Sequence, residues 1–128
     1  MKTVTARYAS GKMKHLVTNG EHTIESDTLV EEGGENLAPT PHDLLAMSLA
    51  ACTSITIRMY ALRKEWPLEN AITNVDIEKT KEAVTFKVNL RFEGFLTQEQ
   101  KLRLLEIANM CPVHKILKGE INILTELV

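Results

Sequence analysis

Two side chains stand out as able to do chemistry: Cys52 and Cys111, the two cysteines in 128 residues. The thiolate is the nucleophile and the metal ligand, so what matters is how each setting shifts the thiol's acidity. Cys111 precedes Pro112, and proline suits the first position of a helix. Cys111 is then the N-cap of a short helix, with its sulfur facing free backbone N–H groups at the positive end of the dipole; both favour the thiolate. His114 and Lys115 follow and could add positive charge. A half-buried cysteine at a corner between two helices has the same sequence, so a packing role stays open. Cys52 sits in Leu49-Ala50-Ala51-Cys52-Thr53-Ser54, inside a long apolar segment. A thiol in mid-helix gains nothing from the dipole, and burial raises its pKa, so it needs a cation or hydrogen-bond donors from another element. Without them it is a core residue, as free cysteines usually are.

Rival chemistries have weaker footing. Cys111-x-x-His114 has a ligand-like spacing, with His42 and Cys52 as the candidates to complete a set, but zinc signatures place paired ligands on turns, and Cys52 has no companion ligand three or four residues away. There is no Gly-x-Ser-x-Gly elbow, no phosphate-binding loop and no dinucleotide fingerprint. Gly33-Gly34 marks a loop. His15 and His22 fall in a hairpin and read as surface residues.

The frame that must position these residues is one domain, 1–128. Hydrophobic residues are 44%, charged residues 25%, aromatics 5%, and the net charge is −2. That balance gives no basic face for nucleic acid or an anionic membrane. The N-terminus lacks the apolar core of a signal peptide, and the apolar stretch from Leu44 to Ala51 is too short to span a bilayer, so a cytoplasmic location is expected. Residues 3–8 and 12–18 read as strands, and Asn19-Gly20 is a hairpin turn leading to a strand over Glu21 to Ser26. Residues 31–40 have loop composition. Thr40 is a helix N-cap, with Pro41 and Asp43 in the first turn. The helix runs to about Lys64 and is apolar on nearly every side, which predicts burial and, in so small a protein, a partner subunit. Strands over 71–79 and 83–93 follow, then a capping box at Thr97 to Gln100, a helix to about Met110, a short helix from Pro112 to Leu117 and a final strand, Glu120 to Leu127. The order βββ-α-ββ-α-α-β is an α+β fold.

These residues carry a resemblance. Pro39-Thr40-Pro41-His42-Asp43-Leu44-Leu45 leading into Leu49-Ala50-Ala51-Cys52-Thr53, then Ile57-Arg58-Met59-Tyr60-Ala61 with Trp66-Pro67-Leu68, and finally Cys111-Pro112-Val113-His114-Lys115-Ile116-Leu117 with Gly119-Glu120-Ile121 resemble the OsmC/Ohr family. This is the family of osmotically inducible protein C and the organic hydroperoxide resistance proteins, and the match is to its OsmC-like branch. The resemblance implies an intertwined homodimer, with two long helices buried between sheets and two active sites at the subunit interface. It implies a thiol peroxidase in oxidative stress defence. Cys52 matches the peroxidatic cysteine, which becomes a sulfenic acid, and Cys111 the resolving cysteine, which forms a disulfide with it. An external dithiol restores both, without metal, flavin or haem. An activating acid matches Asp43, although nine residues at about 100° each put it on the opposite face of the helix from Cys52. The family's activating arginine is the departure: its loop here is Ala9-Ser10-Gly11-Lys12, so Arg7 on the neighbouring strand is the candidate cation. Lysine lacks arginine's bidentate fork. Leu, Ile and Met around Cys52 point to alkyl hydroperoxides over hydrogen peroxide. The competing readings are a small-molecule binding protein on the same fold and a slow thiol redox sensor.

Overall fold

A computed structural model describes residues 1–128, which fall into two compact units, Met1–Leu45 and Ala46–Val128. In the first, β1 (Thr5–Ser10), β2 (Lys14–Thr18) and β3 (Thr23–Ser26) form an antiparallel sheet in the order β1-β2-β3. The β2–β3 turn is made by its own side chains: Asn19 Oδ1 accepts the N–H groups of Glu21 and His22 at 3.0 and 2.8 Å. This local satisfaction of backbone donors is why Asn-Gly turns a chain so sharply. Beyond β3, the buried Asp27 carboxylate accepts the N–H groups of Thr28 and Leu37 at 2.7 and 3.1 Å, which closes the loop leading to Thr40. These donors, opposed by partial desolvation, hold Asp27 below the usual carboxylate range.

The helix α1 (Pro41–Arg63) opens with a reciprocal cap. Thr40 Oγ1 accepts the Asp43 N–H at 3.1 Å, and Asp43 Oδ2 accepts the Thr40 N–H at 3.0 Å. In the second unit, α1 meets the hairpin of β4 (Leu68–Lys79) and β5 (Val84–Gly94). Ala71↔Phe92, Thr73↔Leu90, Val75↔Val88 and Ile77↔Phe86 are cross-strand pairs. The Ser54 hydroxyl on α1 donates to the Ala71 carbonyl at 2.8 Å and lies 2.7 Å from Thr73 Oγ1, which fixes the helix to β4. Gly94 ends β5 with φ 129°, and a Cβ there would run into the Pro67 carbonyl, so only glycine fits.

Helix α2 (Gln98–Ala108) starts at the expected capping box: Thr97 Oγ1 accepts the Gln100 N–H at 3.1 Å, and Gln100 Oε1 accepts the Thr97 N–H at 2.9 Å. Its buried Leu104 and Ala108 meet Ile57 and Ala61 of α1, with Trp66, Leu68, Leu90 and Phe92 packed around them. Arg103 Nε donates to the Tyr60 hydroxyl at 3.1 Å, a second tie between α1 and α2. The chain turns at Asn109 and Met110 into α3 (Pro112–Lys118).

Two features depart from the sequence expectation. No strand forms over Glu120–Leu127: this segment finds no ladder partner in the chain, and Ile121, Ile123, Leu124 and Leu127 stay exposed. Helix α1 is also not buried all round. Leu49, Thr53, Ile57 and Ala61 form one buried stripe, while Met47, Ile55, Met59 and Leu62 are exposed. At 23 residues α1 is long and apolar enough, by length and composition alone, to cross a membrane, which the shorter Leu44–Ala51 stretch had not suggested. Its buried stripe belongs to the core it shares with α2 and the hairpin.

Candidate functional site

The two cysteines, 59 positions apart in the chain, come close enough that each sulfur shifts the acidity of the other. Packing does this. Ile57 and Ala61 hold α1 against Leu104 and Ala108, and the turn after Ala108 then delivers Cys111 to the middle of α1. Cys111 is 0% exposed, whereas Cys52 is half-buried. Neither is in a disulfide.

Cys111 is the N-cap of α3, as its place before Pro112 predicts: its sulfur accepts the His114 N–H at 3.4 Å. The proton balance between the two sulfurs nevertheless runs opposite to what the cap alone suggests. Burial pushes the Cys52 thiol up, but the Cys111 thiol, the Val113 N–H and the Thr56 hydroxyl all donate to its sulfur and hold it below the ordinary cysteine value. Cys111 goes the other way. Burial raises it, and donating its proton to Cys52, whose negative charge lies alongside, raises it further; the His114 N–H only partly offsets this. Thr53 also lies against Cys111, but its one hydroxyl proton is committed to the Leu49 carbonyl at 2.8 Å. With proline at its first position, α3 has Val113 and His114 as its next free donors, and it gives one to each sulfur.

No lysine, arginine or histidine side chain is among the groups that set either acidity. Arg7 lies on β1, paired with Leu16 of β2 and exposed. Lys12 has its N–H bound by Glu35 Oε1 at 3.0 Å. Asp43 is exposed, and its carboxylate is engaged in the cap of α1. The structure therefore brings Cys52 and Cys111 together and gives Asp43 a local partner. Three or more His, Cys, Asp or Glu side chains do not gather anywhere to hold a metal ion. Sequence reasoning did not single out Thr56 or the Val113 N–H. Thr56 carried a signal, since residues four apart share a helix face; the N–H carried none.

The arrangement is a thiol of raised acidity with a second thiol against it, both served by one helix N-terminus. A family model described as OsmC-like protein matches residues 33–126, the span that includes both cysteines. The chain belongs to the OsmC-like protein family. No curated protein matches it. Among solved structures, an OsmC-like protein from Mycoplasma pneumoniae is 16% identical with a TM-score of 0.78, covering 93% of this chain and 88% of that one. An organic hydroperoxide resistance protein OsmC from Legionella pneumophila is 25% identical, TM-score 0.65, covering 93% and 91%. The organic hydroperoxide resistance protein OhrB of Bacillus subtilis is 20% identical, TM-score 0.63, covering 93% and 91%. The α+β fold is thus that of the OsmC/Ohr family, a family associated with hydroperoxide resistance.

Proposed function

We propose that this OsmC-like protein is a cysteine-based peroxidase that reduces organic hydroperoxides to alcohols in oxidative stress defence. The observation that carries this reading is the Cys52 sulfur, made more acidic by three donors and touched by a second thiol. The Cys52 thiolate attacks the terminal oxygen of R–O–O–H. The O–O bond breaks, sulfur is oxidised to Cys52–S–OH, and the alkoxide leaves and takes a proton from water to become the alcohol. The Cys111 thiol then displaces hydroxide, which leaves as water with the Cys111 proton, and a Cys52–Cys111 disulfide forms. An external dithiol reduces this by exchange and is itself oxidised to a disulfide. Cys52 is the peroxidatic residue and Cys111 the resolving one.

A homodimer is part of the proposal. The exposed apolar face of α1 and the unpaired, apolar Glu120–Leu127 segment both suit burial against a second copy. Such a pairing could bring Arg7 or Asp43 into the site as the activating cation and acid. The family match crosses the boundary between the two compact units, which supports reading 1–128 as one functional domain.

The test is steady-state turnover with cumene hydroperoxide and with hydrogen peroxide, each with dithiothreitol as reductant. We expect faster turnover of cumene hydroperoxide, because the stretch of α1 that carries Cys52 is rich in Leu, Ile and Met. A clear preference for hydrogen peroxide defeats the substrate assignment, and no turnover of either defeats the peroxidase. One observation favours a second reading, a small-molecule binding protein or slow redox sensor: no cationic side chain contributes to the acidity of Cys52. Fast oxidation with slow recycling would identify the sensor.

A further inference from the structure

We propose that the cleft between α1, β5 and α3 binds an aliphatic chain ending in an anion, with Lys118 as the residue that selects the charged end. The cleft lies within the second compact unit and has a volume of about 440 Å³, a size that holds a small molecule. It exists because the hairpin outruns the core. Val84, Phe86, Val88, Leu90 and Phe92 alternate along β5 and so share one face. Leu90 and Phe92 pack on the core built by α1 and α2. The same face continues past that core, and there Val84, Phe86 and Val88 line the cleft together with Leu49 of α1 and Leu117 of α3. Val84 and Val88 stay exposed, so the chain leaves this apolar surface open.

The charge on the lining has one sign. Its titratable side chains are His114 and Lys118, and no carboxylate is among them. A lysine in the last turn of α3 suits the helix dipole, but none of the four ion pairs in the chain includes it. Lys118 is exposed and Leu49 is buried, so the cleft runs from a cationic rim to an apolar floor. An amphipathic anion complements both: its chain covers the apolar wall, and its charged end meets the ammonium. The His114 imidazole carries at least one N–H in either protonation state and can serve the same end. The cleft also adjoins the thiol pair. Leu49 is three residues before Cys52, close to the same face of α1, and the His114 N–H binds the Cys111 sulfur at 3.4 Å. Lys118 is seven positions beyond Cys111, about 10 Å along α3, which a medium-length acid spans. The inference concerns binding and does not need the thiols to turn over; on the peroxidase reading the occupant is the R group of the hydroperoxide.

The experiment is isothermal titration calorimetry of the full, reduced chain with acetate, hexanoate, octanoate and octanol. Octanoate binds, acetate does not, and affinity rises roughly fourfold for each methylene the cleft covers. Octanol binds about fivefold more weakly than octanoate, the most that an exposed ion pair contributes. K118M keeps the apolar stem and removes the charge at an exposed position, so the fold is not at stake. It abolishes the preference for octanoate over octanol and keeps the dependence on chain length. If K118M leaves that preference intact, the chain sits on another apolar face and the assignment is overturned. A preference for the anion without dependence on length reduces the site to a surface charge and also overturns it. So does the absence of octanoate binding; sedimentation as a dimer would then identify a second copy as what covers the cleft. Octanoate binding in a protein that does not turn over hydroperoxide upholds the cleft while the peroxidase reading fails. Turnover of cumene hydroperoxide without octanoate binding does the reverse.

Discussion

The middle of α1 and the N-terminus of α3 each hold one sulfur, and the two differ in a way their own elements do not explain. By position alone, Cys111 at the N-cap has the better site for a negative charge, and Cys52 in mid-helix the worse. The structure reverses this: Cys52 is the more acidic and Cys111 the less. The cap does form, with the His114 N–H 3.4 Å from the Cys111 sulfur. But Cys111 is fully buried and spends its own proton on its neighbour, while the causes that lower Cys52 include Cys111, the N-cap of α3, and the Val113 N–H in its first turn. Acidity follows the direction of donation across the contact, not the element a residue sits in. The sulfur that only accepts is the more acidic, and the one that must also donate is the less.

Exchanging the two sulfurs one at a time is the strongest test of this asymmetry. In Cys52→Ser, hydroperoxide reduction falls to the uncatalysed background, because the attacking atom is gone. In Cys111→Ser the first step survives: one equivalent of hydroperoxide is consumed without reductant, and dimedone labels a sulfenic acid on Cys52. Peroxide assays with mass spectrometry check both. If Cys111→Ser loses the first step while Cys52→Ser keeps it, the roles are the wrong way round.

A milder test leaves both sulfurs in place. The thiolate fraction rises as pH rises through a thiol's pKa, so a lowered pKa moves the rise in reactivity to lower pH. Cys52 is lowered and Cys111 raised, so Cys52 should alkylate below the ordinary thiol midpoint of about 8.5 and Cys111 above it. The two residues are scored on separate peptides from one sample. A shared midpoint, or Cys111 reacting first, breaks the comparison.

How far the sequence reveals this depends on the range of each interaction. The α1 start was legible from Thr40, Pro41 and Asp43, and the α2 start from Thr97 and Gln100, because caps are made by residues three apart. The N-cap role of Cys111 was legible from Pro112 for the same reason. The β4–β5 hairpin was legible from its alternation, although Leu68 to Asn70 extend it beyond the expected start. What local pattern does not encode is which groups meet across elements. The donation from Cys111 and Val113 to Cys52 requires knowing how α3 lands on α1, which Leu104, Ala108, Ile57 and Ala61 decide together. The missing last strand fails for a related reason: its alternation is real, but a strand exists only where a ladder partner does.

The smallest expected effect isolates the cap from the chemistry. Cys111 serves α3 by accepting one N–H at 3.4 Å, a long bond to a weak acceptor. Cys111→Ser replaces sulfur with a better cap oxygen, whereas Cys111→Ala leaves the His114 N–H without a side-chain partner at a buried helix start. Both remove the proposed resolving thiol, so neither can form the proposed Cys52–Cys111 disulfide, and the difference between them is structural. Loss of an N-cap costs about 1 kcal/mol, which in a domain of this size lowers the melting temperature by about 4 °C. Thermal unfolding of the two reduced variants should therefore place the alanine form a few degrees below the serine form. Equal melting temperatures would mean that the sulfur contributes nothing to α3, and that α3 is held against α1 by the core and by the donation from Val113 to Cys52. The cap would then be a consequence of where Cys111 is placed and not a cause of it.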